Sequence, residues 1–367
     1  MEDLIEKIAF GTYKNINLGA AKHFQALGID AKAFFSKSAI ELSTISGIKP
    51  AFYDDSKRHA ALEAARQEVE FIQSKGLNIC YFADDDYPCR LQECEDAPAI
   101  LFSYGKPEAR PAHVVAIVGT RHCTTYGIDF TTRLVRELAE NVEGGVLIIS
   151  GLAYGIDIAA HRAALANGLT TGAVLAHGLN TIYPADHRNE ARRIVAEGGF
   201  MLTEYTTKMP IHRGNFLARN RIVAALSDVT VVVESDIKGG AMSTARLAGA
   251  YNREVMALPG RVTDTYSRGC NALIARSEAM MIRDAGDIIE NLGWPVKAKE
   301  GTQQQLHFLT PEQQQIVDYL RNKPDATVND ICASTGLPYA KLTTMLFELE
   351  MDDVLVALPG NRYNLLQ

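Results

Sequence analysis

The chain has 367 residues, enough for two or three domains with a sizeable core. With 47% hydrophobic and 22% charged residues it is a globular protein rather than a disordered one, and no apolar stretch is long enough to span a bilayer. A net charge of −7 excludes a global attraction to nucleic acid, so any such binding must come from a local patch.

The six cysteines, Cys80, Cys89, Cys94, Cys123, Cys270 and Cys332, lack the short paired spacing of a zinc site. Reduced thiols, no metal and a cytoplasmic protein are expected. The start, MEDLIEKIAF, has no basic segment followed by an apolar run, so no signal peptide is expected.

Residues 1–77 carry apolar positions at three- and four-residue spacing, as in Leu4, Ile5 and Ile8, and predict an N-terminal helical domain of SAM or helix-hairpin-helix-like kind. The turn Ser46-Gly47-Ile48-Lys49 resembles a helix-hairpin-helix but lacks its second glycine, which favours a plain packing unit. Residues 78–105 read as strand, loop and strand, with Asp84, Asp85 and Asp86 in the loop before the Tyr87-Pro88 turn.

Between 111 and 297 strands alternate with helices. Continuous apolar runs at 114–118, 146–149, 173–176, 229–233, 255–258 and 280–282 predict strands buried on both faces, hence an α/β domain with a doubly wound, mostly parallel sheet over 78–297. Residues 298–310 form a Gln-rich linker. The segment 311–367 has the order of a winged helix, with helices that include 330–334 and 339–350 and a hairpin about Pro359-Gly360.

Ligands of open α/β sheets bind beyond the carboxyl ends of the strands, so the chemistry is sought in those turns. After the first strand Gly119-Thr120-Arg121 replaces the G-x-G of a dinucleotide site. An arginine there obstructs a pyrophosphate on the backbone but can itself grip a phosphate, and no nucleotide cofactor is expected. After the second strand, small residues from Ser150-Gly151 to Gly155-Ile156-Asp157 invite an anion at a helix start. Ser150, Asp157 and His161 have no nucleophile elbow around the serine and are read as packing residues rather than a triad. Arg188, after Tyr183-Pro184, is a candidate phosphate contact.

The segment 212–221, HRGNFLARNR, places His212, Arg213, Arg219 and Arg221 around Phe216 and contains no acid. Cations around an aromatic suit a single-stranded nucleic acid. Lys238-Gly239-Gly240 through Ser243-Thr244 then opens a helix as an anion cradle, without the Gly-Lys-Ser/Thr ending of a P-loop.

Taken in order, Gly119-Thr120-Arg121, Ser150-Gly151-Leu152-Ala153-x-Gly155-Ile156-Asp157 with His161, Tyr183-Pro184, Phe216-x-x-Arg219-Asn220-Arg221, Gly239-Gly240-x-x-Ser243-Thr244-Ala245, Pro259-Gly260 and Gly269-Cys270-Asn271 resemble the DNA-processing protein A family (DprA/Smf) over about 78–292. The resemblance implies an extended Rossmann-like core without cofactor or catalysis. It implies binding of single-stranded DNA, loading of RecA recombinase during natural transformation, and a homodimer formed through the core. It also implies a pocket using Arg121, Arg213, Phe216, Lys238 and Arg188, beside the glycine turns and the Arg219-Asn220-Arg221 motif. The pair Gly239-Gly240 departs from the family's more usual Ser-Gly.

Residues 311–367 hold four Lys/Arg against eight Asp/Glu, so the winged helix is expected to contact protein, or merely to pack, rather than to read duplex DNA. A rival reading is a small-nucleotide enzyme, since Gly-Gly-x-x-Ser-Thr resembles a loop of nucleoside-monophosphate phosphoribohydrolases. Those enzymes carry an acid in the following helix; here that helix has Arg246 and no Asp or Glu.

Overall fold

The computed structural model describes residues 1–297, 309–351, 354–358 and 361–365, and the chain divides into two compact units, Met1–Lys297 and Ala298–Gln367. The first opens with α1 (Glu2–Gly11), α2 (Leu18–Ala26), α3 (Ala31–Ser36), α4 (Ala39–Ser46) and the long α5 (Asp55–Lys75). Side chains of Asn17, Asp30, Ser38 and Asp54 cap the starts of α2 to α5 by accepting from backbone N–H groups three residues on. Phe10, Phe24, Phe34 and Tyr53 pack edge-to-face in a core continuous with that of the following sheet. The boundary expected after residue 77 therefore falls inside one compact unit.

The sheet strands are β1 (Asn78–Tyr81), β2 (Ile100–Tyr104), β3 (Val114–Gly119), β4 (Leu147–Ser150), β5 (Thr171–Val174), β6 (Phe200–Thr203), β7 (Val229–Val233), β8 (Glu254–Ala257) and β9 (Met280–Met281). Their order is β1-β2-β6-β5-β4-β3-β7-β8-β9; β3 to β9 run parallel, and β1 and β2 form an antiparallel extension at one edge. This is the doubly wound sheet expected from the apolar runs. Strand β6 is not among the expected runs: its apolar stretch Phe200-Met201-Leu202 runs straight on from Gly198-Gly199 and stops at Thr203, although all four strand residues are buried.

The crossovers are α6 (Thr125–Asn141), α7 (Ile156–Ala166), α8 (Arg188–Ala196), α9 (Arg213–Leu226), α10 (Gly240–Ala250) and α11 (Arg268–Ala275), and α12 (Ala285–Leu292) ends the unit. Phe130, Leu134 and Leu138 of α6, Ala160 of α7 and Ile288 of α12 pack on one face of the sheet. Ile222 and Val223 of α9 and Met242 and Ala245 of α10 pack on the other, with the N-terminal helices. The chain leaves β3 toward one side of the sheet and β7 toward the other, so the order reverses between these adjacent strands and opens a crevice at their carboxyl ends.

The second unit comprises α13 (Pro311–Asn322), β10 (Ala326–Thr327), α14 (Val328–Thr335), α15 (Tyr339–Met351), β11 (Leu355–Leu358) and β12 (Arg362–Leu365), the winged-helix order. Ile316, Leu320, Ile331, Leu342, Leu346 and Leu355 form its core. Helix α14 starts before the expected 330 because Thr327 and Asp330 close a capping box. The expected linker lies, except for Leu309 and Thr310, outside the described residues, as does the Pro359-Gly360 turn. Among the described residues no helix is long and apolar enough to cross a membrane.

Candidate nucleic-acid interface

At the switch point between β3 and β7 lies an open cavity of about 1060 Å³. Gly119, Thr120, Arg121 and His122 line it from the turn after β3, and Ser235 to Gly240 from the turn after β7. The first turn is fixed by Glu234, whose backbone carbonyl accepts from Thr120 N at 2.6 Å. Its buried carboxylate accepts from Thr124 N at 2.8 Å and Thr124 Oγ1 at 2.6 Å. Gly155, at φ 78°, lets the turn after β4 come against the backbone of Thr120 and Arg121, where a Cβ would lie 2.8 Å from Arg121 Cα. Arg121 is thereby held on a braced turn with its side chain exposed.

The facing wall is the first turn of α9. His212 caps it, Nδ1 accepting from Gly214 N at 3.0 Å, so Arg213 stands exposed and Phe216 half-buried at the cavity. The Arg121 guanidinium lies 5.4 Å from the Phe216 ring centre, and Tyr183 meets the same ring edge-to-face at 5.6 Å. The loop entering α9 is tied down from the N-terminal helices, because the buried Glu68 carboxylate of α5 accepts from Thr207 N at 3.0 Å and Thr207 Oγ1 at 2.6 Å.

The third wall is the start of α10. Its N-cap, Gly239, supplies no side-chain cap, Gly240 borders open space, and the first turn lines the cavity with the positive end of the helix dipole, the Met242 amide donating back to Gly239 O at 3.2 Å. Lys238 and Ser243 also line the cavity, as does Asn220, which reaches across from α9 to Gly240 O at 3.4 Å.

Several residues expected in the pocket are engaged elsewhere. Ser150 is fully buried and its Oγ donates to Ile117 O at 2.6 Å. The amides of Gly151 and Ala153 donate to Asp157 Oδ2 at 3.1 and 3.4 Å, which leaves them unavailable to an anion. Arg219 touches the cavity wall but is only 5% exposed; Nη1 donates to Gly151 O at 2.8 Å and also to Val174 O. Arg221 turns away into a two-pronged pair with Glu204, both contacts 2.6 Å, and donates to Asp96 O at 3.0 Å. The segment contains no acid in sequence, but the fold brings Glu204 and Asp157 to its arginines. Arg188 is exposed at the start of α8 and does not line the cavity.

Ser150, Asp157 and His161 likewise face separate partners, His161 Nδ1 lying 2.7 Å from Thr171 Oγ1. Burial pushes the His161 imidazole down to about 3, so it is neutral, and burial raises the Asp157 carboxyl against the pull of Arg219.

Four exposed cations remain at the cavity without an ion-pair or hydrogen-bond partner among the described residues: Arg121, Arg213, Lys238 and Arg246. Asp236, an acid of the lining, is paired with Arg268 at 3.0 Å. Arg246 was absent from the expected site, yet it falls three residues after Ser243 on one helix face, a spacing legible in advance. His122 and Tyr266 also line the cavity; no pattern pointed to Tyr266. Ile211, Leu217 and Ile237 add exposed apolar surface to the wall.

The fold and cavity together define a Rossmann-like protein whose switch point presents cations, a helix start without a side-chain cap, and aromatic rings. A profile for DNA recombination-mediator protein A matches residues 78–293, and one for the DprA winged helix domain matches 300–361. The chain is 36% identical to Protein Smf of Escherichia coli strain K12, over 75% of this chain and 74% of that one. It is 35% identical to a putative DNA processing protein DprA of Mycobacterium tuberculosis, over 79% and 77%. The structure is similar to that of DNA processing protein A from Streptococcus pneumoniae, with TM-score 0.66 and 29% identity over 79% of this chain and 97% of that one. It is similar also to a Helicobacter pylori DNA processing protein A described for its single-stranded DNA binding mode, with TM-score 0.52 and 34% identity over 59% and 95%. The chain belongs to the DNA recombination-mediator protein A family, DprA/Smf.

Proposed function

We propose that this protein binds single-stranded DNA at the β3–β7 switch point, without regard to base sequence, and loads RecA recombinase onto the strand. The observation that carries the reading is Arg121 and Phe216 side by side at the cavity, a cation against an aromatic ring, with Arg213, Lys238 and Arg246, unpaired among the described residues, around them. Cations hold phosphates of any sequence, and every base has a face that stacks on a ring. The single-strand binding described for the Helicobacter pylori relative supports the ligand class. Family membership supports RecA loading in transformation and a homodimer through the Rossmann-like core, where a second pocket on the same strand raises apparent affinity.

The protein acts by binding alone, with no cofactor and no catalytic step. Helix α10 carries no carboxylate to attack a glycosidic bond, which speaks against the phosphoribohydrolase alternative. The winged helix serves a protein contact: the single lysine of α15, Lys341, is paired with Glu312 at 2.5 Å, while Tyr339 and Phe347 are exposed.

The test is fluorescence anisotropy of a labelled dT oligonucleotide with unlabelled duplex as competitor. Tight binding that duplex fails to displace, weakened about 5- to 150-fold by Phe216→Ala, is the expected result, since stacking on one ring is worth roughly 1–3 kcal/mol. No binding at low salt, or equal displacement by duplex, overturns the reading.

A further inference from the structure

The cavity has a second aromatic pair that the Arg121–Phe216 site does not use. The rings of His122 and Tyr266 lie nearly parallel, 23° between planes with centroids 6.3 Å apart, and both line the cavity. His122 is exposed and Tyr266 half-buried.

Tyr266 is not carried on a free loop. It sits in a short turn, Thr265–Ser267, fixed on both sides. Gly269 N donates to Ser235 O at 2.8 Å, which pins the following helix to the end of β7. The Asn271 side-chain amide exchanges two hydrogen bonds with the Gly260 backbone, at 3.1 and 2.9 Å, which pins the preceding loop. Arg268, two residues on, is paired with Asp236 on the cavity wall at 3.0 Å. A ring so placed loses little freedom when a ligand stacks on it, which is what a binding platform requires.

His122 follows Arg121 directly on the braced turn. Arg121 faces the Phe216–Tyr183 pair and His122 faces Tyr266, so the two aromatic pairs meet neighbouring residues of one turn. Resting on the single-strand reading above, we propose that His122 and Tyr266 form a second base-stacking site. It receives a nucleobase on the other side of the phosphate held by Arg121 from the base on Phe216. The site takes any base, because it offers ring faces and no fixed hydrogen-bond pattern.

The experiment uses the full chain and dT oligonucleotides carrying one 2-aminopurine, moved along the strand, with fluorescence reporting stacking and anisotropy reporting affinity. The wild type should quench the probe at two separate positions. Tyr266→Leu should lose one of them and bind about 5- to 10-fold more weakly, whereas Phe216→Leu should lose the other. His122→Ala, at an exposed side chain, tests the same platform from its other ring and should weaken the same position as Tyr266→Leu. The site is overturned if Tyr266→Leu and His122→Ala keep both quenched positions and wild-type affinity while Phe216→Leu loses its own. That outcome leaves the single-strand reading intact. Failure of the wild type to bind dT at low salt removes both.

Discussion

The turns after β4 and after β7 both have small residues, a glycine and a helix start, and both end at the same side of one sheet. They differ in what the fold brings to their amides. After β4, Asp157 accepts from Gly151 and Ala153, and Arg219 reaches over from α9 to Gly151 O, so the turn is closed by buried charge. After β7, the Asp236 carboxylate takes only the Ile237 amide, at 2.8 Å ahead of the helix; no side chain caps α10, and the space beside Gly240 is empty. In the reading proposed here, a glycine-rich turn stays open to an anion where no carboxylate of the protein has reached the amides at its helix start. The same division runs through α9: Arg219 and Arg221 brace the fold, while Arg213 stands at the cavity without a partner among the described residues.

If the turn after β4 is a structural brace, damage to it should appear as lost stability. Arg219→Ala takes the donor from the Gly151 and Val174 carbonyls and the nearby cation from buried Asp157, and should cost about 3–5 kcal/mol in urea unfolding. A loss within about 0.5 kcal/mol, the range of ordinary surface substitutions, would mean Arg219 is not a brace. Gly151→Ala puts a Cβ against the Arg219 guanidinium and should cost roughly 1–3 kcal/mol. Gly240→Ala meets open space and should leave the unfolding midpoint where it is. Equal effects of the two alanines would erase the distinction.

Behind the closed turn, α7 carries His161, whose folded-state value of about 3 lies below its ordinary 6.5. The unfolded chain therefore takes up the proton more readily, and His161 contributes stability that is present above pH 6.5 and is lost as pH falls toward 3. From pH 6.5 to 4.5 the loss should be roughly 2–3 kcal/mol, and His161→Gln should flatten that part of the profile. An unchanged profile in the variant would place the acid sensitivity elsewhere.

What the sequence showed and what it hid follow from range. The parallel sheet was legible because strands buried on both faces are written as unbroken apolar runs, and only β6, whose short apolar stretch runs straight on from Gly198-Gly199, escaped. The cavity was legible through the turns at its strand ends, with Arg121, Phe216 and Lys238 all lining it. The roles of Arg219 and Arg221 were hidden because their partners are Gly151, Val174, Glu204 and Asp96, which lie near them only after folding. Tyr266 was hidden for the same reason: nothing local in Thr265-Tyr266-Ser267 indicates that its ring meets His122.

The salt dependence of single-strand binding addresses the open side of the comparison most directly. Each phosphate neutralised on a single strand contributes about 0.7 to the slope of log affinity against log salt. In the triple variant Arg121→Ala, Arg213→Ala, Lys238→Ala that slope should become shallower by about two, with the unfolding midpoint unchanged. A slope equal to that of the wild type would show that these cations hold no phosphates, and would contradict a DNA strand lying at the switch point.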